Sequence, residues 1–187
     1  MTILEVFYKA NYDEDALMLD KIKGYVPYDA TPIGARVFAC MGVDGVHYCV
    51  MPRDNDATLE NSPIYRVSPM DFSERTIVWT AKNFYDFIRV SVELRDFWLL
   101  PCLIGMDEKE FHSEIETSNY EFDIKNDTEK QSILHSIESL QKQFNTGRIN
   151  NLYSYVQEAY SDRSNHMQLT FSIPNIVEDT LGIYHYL

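Results

Sequence analysis

The stretch Val37–Met51 constrains the fold most, because two runs of apolar and aromatic residues flank the dipeptide Asp44-Gly45. Asp-Gly readily adopts the positive φ angles of a two-residue hairpin turn. This turn predicts two antiparallel strands in which Cys40 lies opposite Cys49. Because both faces of such a hairpin are largely apolar, we expect it to be covered on both sides and to form the centre of a domain.

Alternation along the hairpin assigns its side chains to two faces. The first face, which we expect to line the core, comprises Val37, Ala39, Met41, Val43, Val46, Tyr48 and Val50. The second face is also mostly apolar and comprises Phe38, Cys40, Gly42, His47, Cys49 and Met51. Opposing cysteines have the spacing for a disulfide, but an odd number of cysteines without a C-x-x-C motif favours buried free thiols.

Two short segments after the hairpin, Ile64–Val67 and Thr76–Thr80, are rich in β-branched and aromatic residues and read as strands. No helical segment separates them, which favours an antiparallel meander over a parallel sheet. A later alternating segment, His166–Ile173, reads as a strand that ends at Pro174. Thr2–Lys9 is short and apolar, and it fits either a strand or the first turns of a helix.

Acidic and amide residues that can cap free N–H groups mark the starts of helices. The predicted helices are Asp13–Gly24, one from Asn83, one from Asp107, Asp127–Phe144 and Ile149–Tyr160. In the helix from Asn83, the spacing turns Phe84 and Phe87 toward the sheet and Asp86 outward. The fold class that follows is α+β, an antiparallel sheet with helices packed against it.

The chain has 187 residues, 45% of them hydrophobic, and it contains no internal repeat or low-complexity linker. We therefore expect a single domain over residues 1–187, with a core of about 10–105. Residues from about 106 to 187 would add a helical elaboration and a C-terminal strand. No signal-peptide pattern and no apolar run of membrane-spanning length is present, so we expect a cytoplasmic protein.

The chain has a formal net charge of −13, and over half of it lies between Asp107 and Glu129. This acidity disfavours nucleic acid and anionic membranes as partners, since both bind clustered lysine and arginine. An acidic run is usually a solvated face, but it can also steer a basic protein partner. The carboxylates that we assign to such a partner-binding surface are Asp107, Glu108, Glu110, Glu114 and Glu116.

Sequence motifs indicate no catalytic residue, no cofactor site and no metal site. The chain lacks phosphate-loop, metalloprotease and hydrolase motifs, and its five histidines are isolated in sequence. The alternative is a small cytoplasmic enzyme whose site is assembled in space around His47. Against that alternative, His47 on the hairpin is most simply a packed sheet residue, and Cys102 has no neighbouring base in sequence.

Three segments in order resemble the SUKH superfamily of bacterial immunity proteins and fungal regulators of cell-wall glucan synthesis. They are residues 42–48 (GVDGVHY), 67–70 (VSPM) and 81–88 (AKNFYDFI). The resemblance covers about residues 33–95 and implies a non-enzymatic protein-binding module, most simply an immunity protein that neutralises a cognate bacterial toxin. An acidic inhibitor would suit a basic toxin such as a nuclease. A regulatory scaffold of the cell-wall-synthesis-regulator type is a further alternative.

Overall fold

A computed structural model describes residues 1–22, 28–70, 75–172, 176–178 and 183–186. In chain order its elements are α1 Ile3–Lys9, α2 Glu14–Leu17, β1 Asp20–Lys21, β2 Arg36–Cys40, β3 His47–Val50, β4 Ile64–Val67, β5 Ile77–Ala81, α3 Phe84–Leu94, α4 Leu99–Leu103, α5 Glu108–Asp123, α6 Asp127–Phe144, α7 Leu152–Ser161, β6 Ile176–Glu178 and β7 Tyr184–Tyr186. None of the helices within these ranges is long and apolar enough to cross a membrane.

The seven strands form one antiparallel sheet in the order β1-β2-β3-β4-β5-β7-β6. Successive residues of β3 belong to different buried clusters, so the two clusters lie on opposite faces of the sheet. Helices α1, α2, α3 and α6 contribute to the first cluster, and α4, α5 and α7 contribute to the second, to which α3 also adds Val90 and Leu94. The predicted α+β class, an antiparallel sheet with helices packed against it, is confirmed.

The turn of the central hairpin forms as predicted, because Asp44-Gly45 has φ angles of 48° and 70°. Gly42 also has a positive φ of 71°, and this extra bend lengthens the loop by two residues. As a consequence, Cys40 lies opposite His47 and not opposite Cys49. The predicted register that places Cys40 opposite Cys49 is therefore wrong, whereas the preferred prediction of free thiols agrees with the structure, in which all three cysteines of the chain are free.

A β-bulge at Phe38 changes the predicted faces of the hairpin. The pairing register shifts by one residue between Val37 and Ala39, and a bulge of this kind reverses the alternation of the strand. Phe38 consequently joins Ala39 in the first cluster, whereas Val37 packs against the second. The predicted faces of Phe38 and Val37 are wrong. Val43, which we expected in the core, lies in the turn and is 42% exposed.

Helix α3 supplies the centre of the first cluster. Asn83 caps it as predicted, since its Oδ1 accepts the N–H of Asp86 at 2.8 Å. Phe84 and Phe87 are completely buried, which confirms the predicted inner face. Their rings pack against those of Phe7, Phe38, Tyr48, Phe97 and Phe144.

Asp86 does not face solvent as predicted, because α7 covers it. The side chain is 8% exposed, and its carboxylate accepts a hydrogen bond from the hydroxyl of Tyr155. Lys82 Nζ lies 3.0 Å from the other carboxylate oxygen. A contact with the distant helix α7 thus buries a carboxylate at a position that periodicity predicts to be exposed, while its ion-pair partner Lys82 stays partly exposed.

The helix predicted from Asp13 to Gly24 is only one turn long. Asp13 caps it as expected, with Oδ1 accepting the N–H of Ala16 at 3.1 Å. Met18 then adopts a left-handed conformation with φ 48°, which ends the helix. The chain continues as β1, because the edge of β2 supplies the backbone hydrogen bonds that further helical turns would otherwise make. Gly24 lies outside the described residues.

The strand predicted over residues 166–173 is wrong for their described part. The N–H of Met167 donates to the hydroxyl of Tyr65 at 2.9 Å, and the N–H of Leu169 donates to the hydroxyl of Tyr184 at 3.2 Å. Tyrosine hydroxyls thus take the place of a neighbouring strand. The sheet position beside β5 is occupied by β7.

The remaining elements agree closely with the patterns that predicted them. β4 and α6 have the predicted bounds, and β5 begins and ends one residue later than predicted. The segment predicted as a strand or a helix over Thr2–Lys9 forms the helix Ile3–Lys9, capped by reciprocal hydrogen bonds between Thr2 and Glu5 at 2.8 and 3.3 Å. The helix predicted from Ile149 begins only at Leu152, because the side chain of Asn151 caps it.

Candidate partner-binding surface

Helix α5, which carries the predicted partner-binding carboxylates, is attached to the protein along one side. Phe111 is fully buried, and the partly buried rings and aliphatic chains of Ile115 and Phe122 continue this inner stripe. Arg95 at the end of α3 donates to Asn119 Oδ1 and lies 4.4 Å from the centre of the Phe122 ring. The opposite side of α5 is therefore held outward on a fixed support.

The five predicted carboxylates are all exposed, but they have different local roles. Asp107 and Glu110 form the capping box of α5: Asp107 Oδ1 accepts the N–H of Glu110 at 2.9 Å, and Glu110 Oε2 accepts that of Asp107 at 3.3 Å. Glu108 lies 3.9 Å from His112 Nε2. The carboxylates of Glu114 and Glu116 make no hydrogen bond or ion pair with the described part of the chain.

Helical geometry divides these carboxylates between two flanks of α5. With 3.6 residues per turn, Glu110 and Glu114 lie one above the other. Glu121 continues that flank two turns further on. Glu108 and Glu116 lie on the other side of the buried stripe. The structure thus brings together two of the predicted residues with one that we did not assign, and it separates the others from them.

A groove of about 490 Å³ lies at the far end of the acidic run, between α2 and the first turns of α6. Ala16, Met18 and Ile133 line it with apolar surface, and Met18 is 47% exposed. Its charged residues are the carboxylates Asp13, Asp15 and Glu129 and the cation Lys125, which leaves the lining net acidic. Hydrogen bonds from the Ser132 hydroxyl and from the Ala16 N–H lower the pKa of Asp13. Sequence reasoning missed this groove, because Asp13 and Asp15 are distant in sequence from α6.

His47, the centre of the alternative enzymatic interpretation, is completely buried in β3. Its Nδ1 lies 2.7 Å from the carbonyl oxygen of Gly45, and its Nε2 lies 3.0 Å from Thr31 Oγ1. A carbonyl oxygen only accepts, so Nδ1 carries the proton and Nε2 accepts from the Thr31 hydroxyl. Burial lowers the pKa of His47. Both ring nitrogens therefore have structural partners, as in a packed sheet histidine.

Lowering the pH from about 7 to about 5 should reduce the free energy of unfolding through His47. The unfolded histidine titrates near pH 6.5, whereas burial lowers the pKa in the folded state. Between these two pKa values the unfolded chain binds the additional proton, so the stabilisation is complete above about pH 6.5 and is lost as the pH falls. Urea titrations at several pH values measure this loss.

Two variants isolate the contribution of His47. His47→Asn keeps an N–H that reaches Gly45 but does not titrate, so its stability should depend less on pH over the same window. His135 is exposed, so His135→Asn should retain the pH dependence of the parent chain. A folded-state imidazole of His47 that titrates at or above pH 6.5 by NMR would contradict this assignment.

An open cavity of about 310 Å³ lies near the hairpin turn. Its lining comprises Asp44, Val46, Arg66, Ser68, Met70 and Trp98. Sequence reasoning did not single out Arg66, although it is the only charged residue in the otherwise apolar and aromatic strand Ile64–Val67. A single charged residue in a strand that is otherwise apolar and aromatic was the sequence feature that could have indicated a site here.

The described ranges contain no group of three histidine, cysteine, aspartate or glutamate side chains that could hold a metal ion. The features that these ranges offer for recognition are the acidic flanks of α5, the acidic groove beside α6 and the cavity at Arg66. No family model, curated protein or solved structure matches the chain.

Proposed function

We propose that this chain is a non-enzymatic protein-binding module that neutralises a basic toxin, such as a nuclease, in the cytoplasm. The observation that carries the proposal is the set of exposed carboxylates on the two flanks of α5, which its buried stripe holds in a fixed orientation. A preorganised surface pays little conformational entropy when a partner binds. The resemblance of residues 33–95 to the SUKH superfamily supports an immunity protein as the specific form of this module.

Charge complementarity explains how such a module would act. The segment from Asp107 to Glu129 carries a net charge of −7 in 23 residues, and a field of that sign raises the association rate with a basic partner. A nuclease binds its substrate through lysine and arginine side chains. An acidic protein that occupies those side chains excludes the nucleic acid, so inhibition requires no catalysis.

The groove beside α6 gives the same partner a second point of attachment. An arginine or lysine stem can pack on Met18 and Ala16 while its charged end meets the carboxylate of Asp15. Interfaces gain most of their affinity from such a desolvated anchor surrounded by polar contacts. The acidic flanks of α5 would then chiefly govern the rate of association, and the groove would chiefly govern the rate of dissociation.

Co-expression with the product of the neighbouring gene tests the proposal. The tagged chain should capture that product as a stable complex, and a stoichiometric excess should block its toxic or nucleolytic activity. Capture without inhibition would favour the scaffold alternative. A neighbouring toxin that neither binds the chain nor loses activity in its presence would contradict the proposal.

A further inference from the structure

Arg66 is a buried cation without an anionic partner in the described part of the chain. It lies in β4, an interior strand of the sheet, and its side chain is 4% exposed. Nη1 lies 3.8 Å from the sulfur of Cys102, which is a weak acceptor. Nε is buried and makes no hydrogen bond. Within the described part of the chain, Nε therefore has no acceptor and Nη1 has only a weak one.

The contact with the face of the Trp98 ring offsets only part of the free-energy cost of burying this charge. The guanidinium carbon of Arg66 lies 5.6 Å from the centre of the indole ring, at cation–π distance. Such a contact stabilises the positive charge but does not satisfy its N–H donors. A buried charge whose donors lack acceptors is costly, and an anion that reached these donors would remove that cost.

The cavity beside Arg66 gives an anion a place to bind. Its volume of about 310 Å³ is suited to a small organic molecule. Trp98 and Met70, which line it, are 38% and 58% exposed, so apolar surface is open next to the guanidinium. A ligand for this cavity would therefore combine an anionic group with a flat apolar body.

We propose that this cavity binds a small aromatic carboxylate, with the carboxylate on Arg66 and the ring against Trp98 and Met70. A guanidinium matches a carboxylate in bidentate geometry. Among the described residues of the lining, Arg66 is the only cation, so a monoanion neutralises it, whereas a dianionic phosphate would place excess negative charge near Asp44. Asp44 is exposed, so solvent screens its repulsion of the monoanion. This site is independent of the proposed toxin-binding surface.

Benzoate is the probe that tests this proposal, with benzamide as its neutral isostere and phenylphosphate as a dianion. Titration followed by the NMR signal of the Trp98 indole N–H should give a Kd on the order of 1 mM for benzoate. Benzamide and phenylphosphate should bind more weakly. Arg66→Met should weaken the binding of benzoate by about tenfold or more, because it removes the guanidinium and keeps an unbranched apolar stem.

Matched variants separate the site from a general effect of charge. Arg148 is exposed, so Arg148→Met makes the same change in net charge and should leave benzoate affinity unchanged. Trp98→Leu should weaken the binding of benzoate, and this variant tests the proposal if Arg66→Met fails to fold. The proposal is overturned if benzoate leaves the Trp98 signal unmoved, if benzamide or phenylphosphate binds as tightly, or if Arg66→Met or Trp98→Leu retains full affinity.

Discussion

Phe87→Ala should lower the free energy of unfolding by about 3–5 kcal/mol. The ring is completely buried where α3 meets the sheet. Its centre lies 4.8 Å from that of Tyr48, 5.5 Å from that of Phe97 and 5.7 Å from that of Phe38. Truncation loses both the transfer free energy of the ring and its contacts, and these large rigid neighbours are poorly placed to fill the resulting cavity.

Denaturant titration measures this loss, and the same helix offers a control. Tyr85 is 42% exposed, so Tyr85→Ala should cost less than about 1 kcal/mol. The two variants remove aromatic rings from positions two residues apart. Similar losses for both, or a loss below about 1 kcal/mol for Phe87→Ala, would mean that the buried face of α3 has been assigned wrongly.

Local chemistry predicted the features that depend on neighbouring residues. The turn at Asp44-Gly45 follows from the φ angles that these residues tolerate. A Cβ at Gly45 would also lie 2.5 Å from the ring of Tyr28, a contact that sequence does not reveal. Helix caps such as Asn83 and Asp107 were likewise predictable, because a cap needs only its own first turn.

Register and burial depend on distant contacts and were not predictable in this way. A two-residue lengthening at Gly42 and a bulge at Phe38 decide which side chains oppose each other. Neither feature changes the apolar pattern that suggests the strands. Asp86 is buried because α7, distant in sequence, covers it, and Tyr155 of that helix donates to its carboxylate.

The candidate surfaces likewise divide into one that the sequence locates and two that only the fold assembles. The acidic run on α5 is continuous in sequence, so composition located it, although helical geometry splits it into two flanks. The groove near Asp13 and the cavity at Arg66 are assembled from separate segments. Only the fold brings their walls together, so no spacing in the sequence marked them.

Replacing Glu114, Glu116 and Glu121 with lysine should slow association with a basic partner by about tenfold or more at low ionic strength. These side chains are exposed on α5. Long-range attraction acts before contact, so the association rate should fall more than the dissociation rate rises. Asp107 and Glu110 are left unchanged because their capping box stabilises the start of the helix, and its loss would confuse kinetics with stability.

A control with the same charge change decides whether location matters. Asp54, Glu60 and Glu158 are also exposed, so replacing them with lysine likewise moves the net charge from −13 to −7. Stopped-flow association over a range of salt concentrations should show a smaller effect for this control, about threefold or less. Both variants should keep the melting temperature of the parent chain. Equal slowing in the two variants would assign the effect to net charge alone. Unchanged rates would mean that the acidic flanks of α5 are a solvated surface with no role in association.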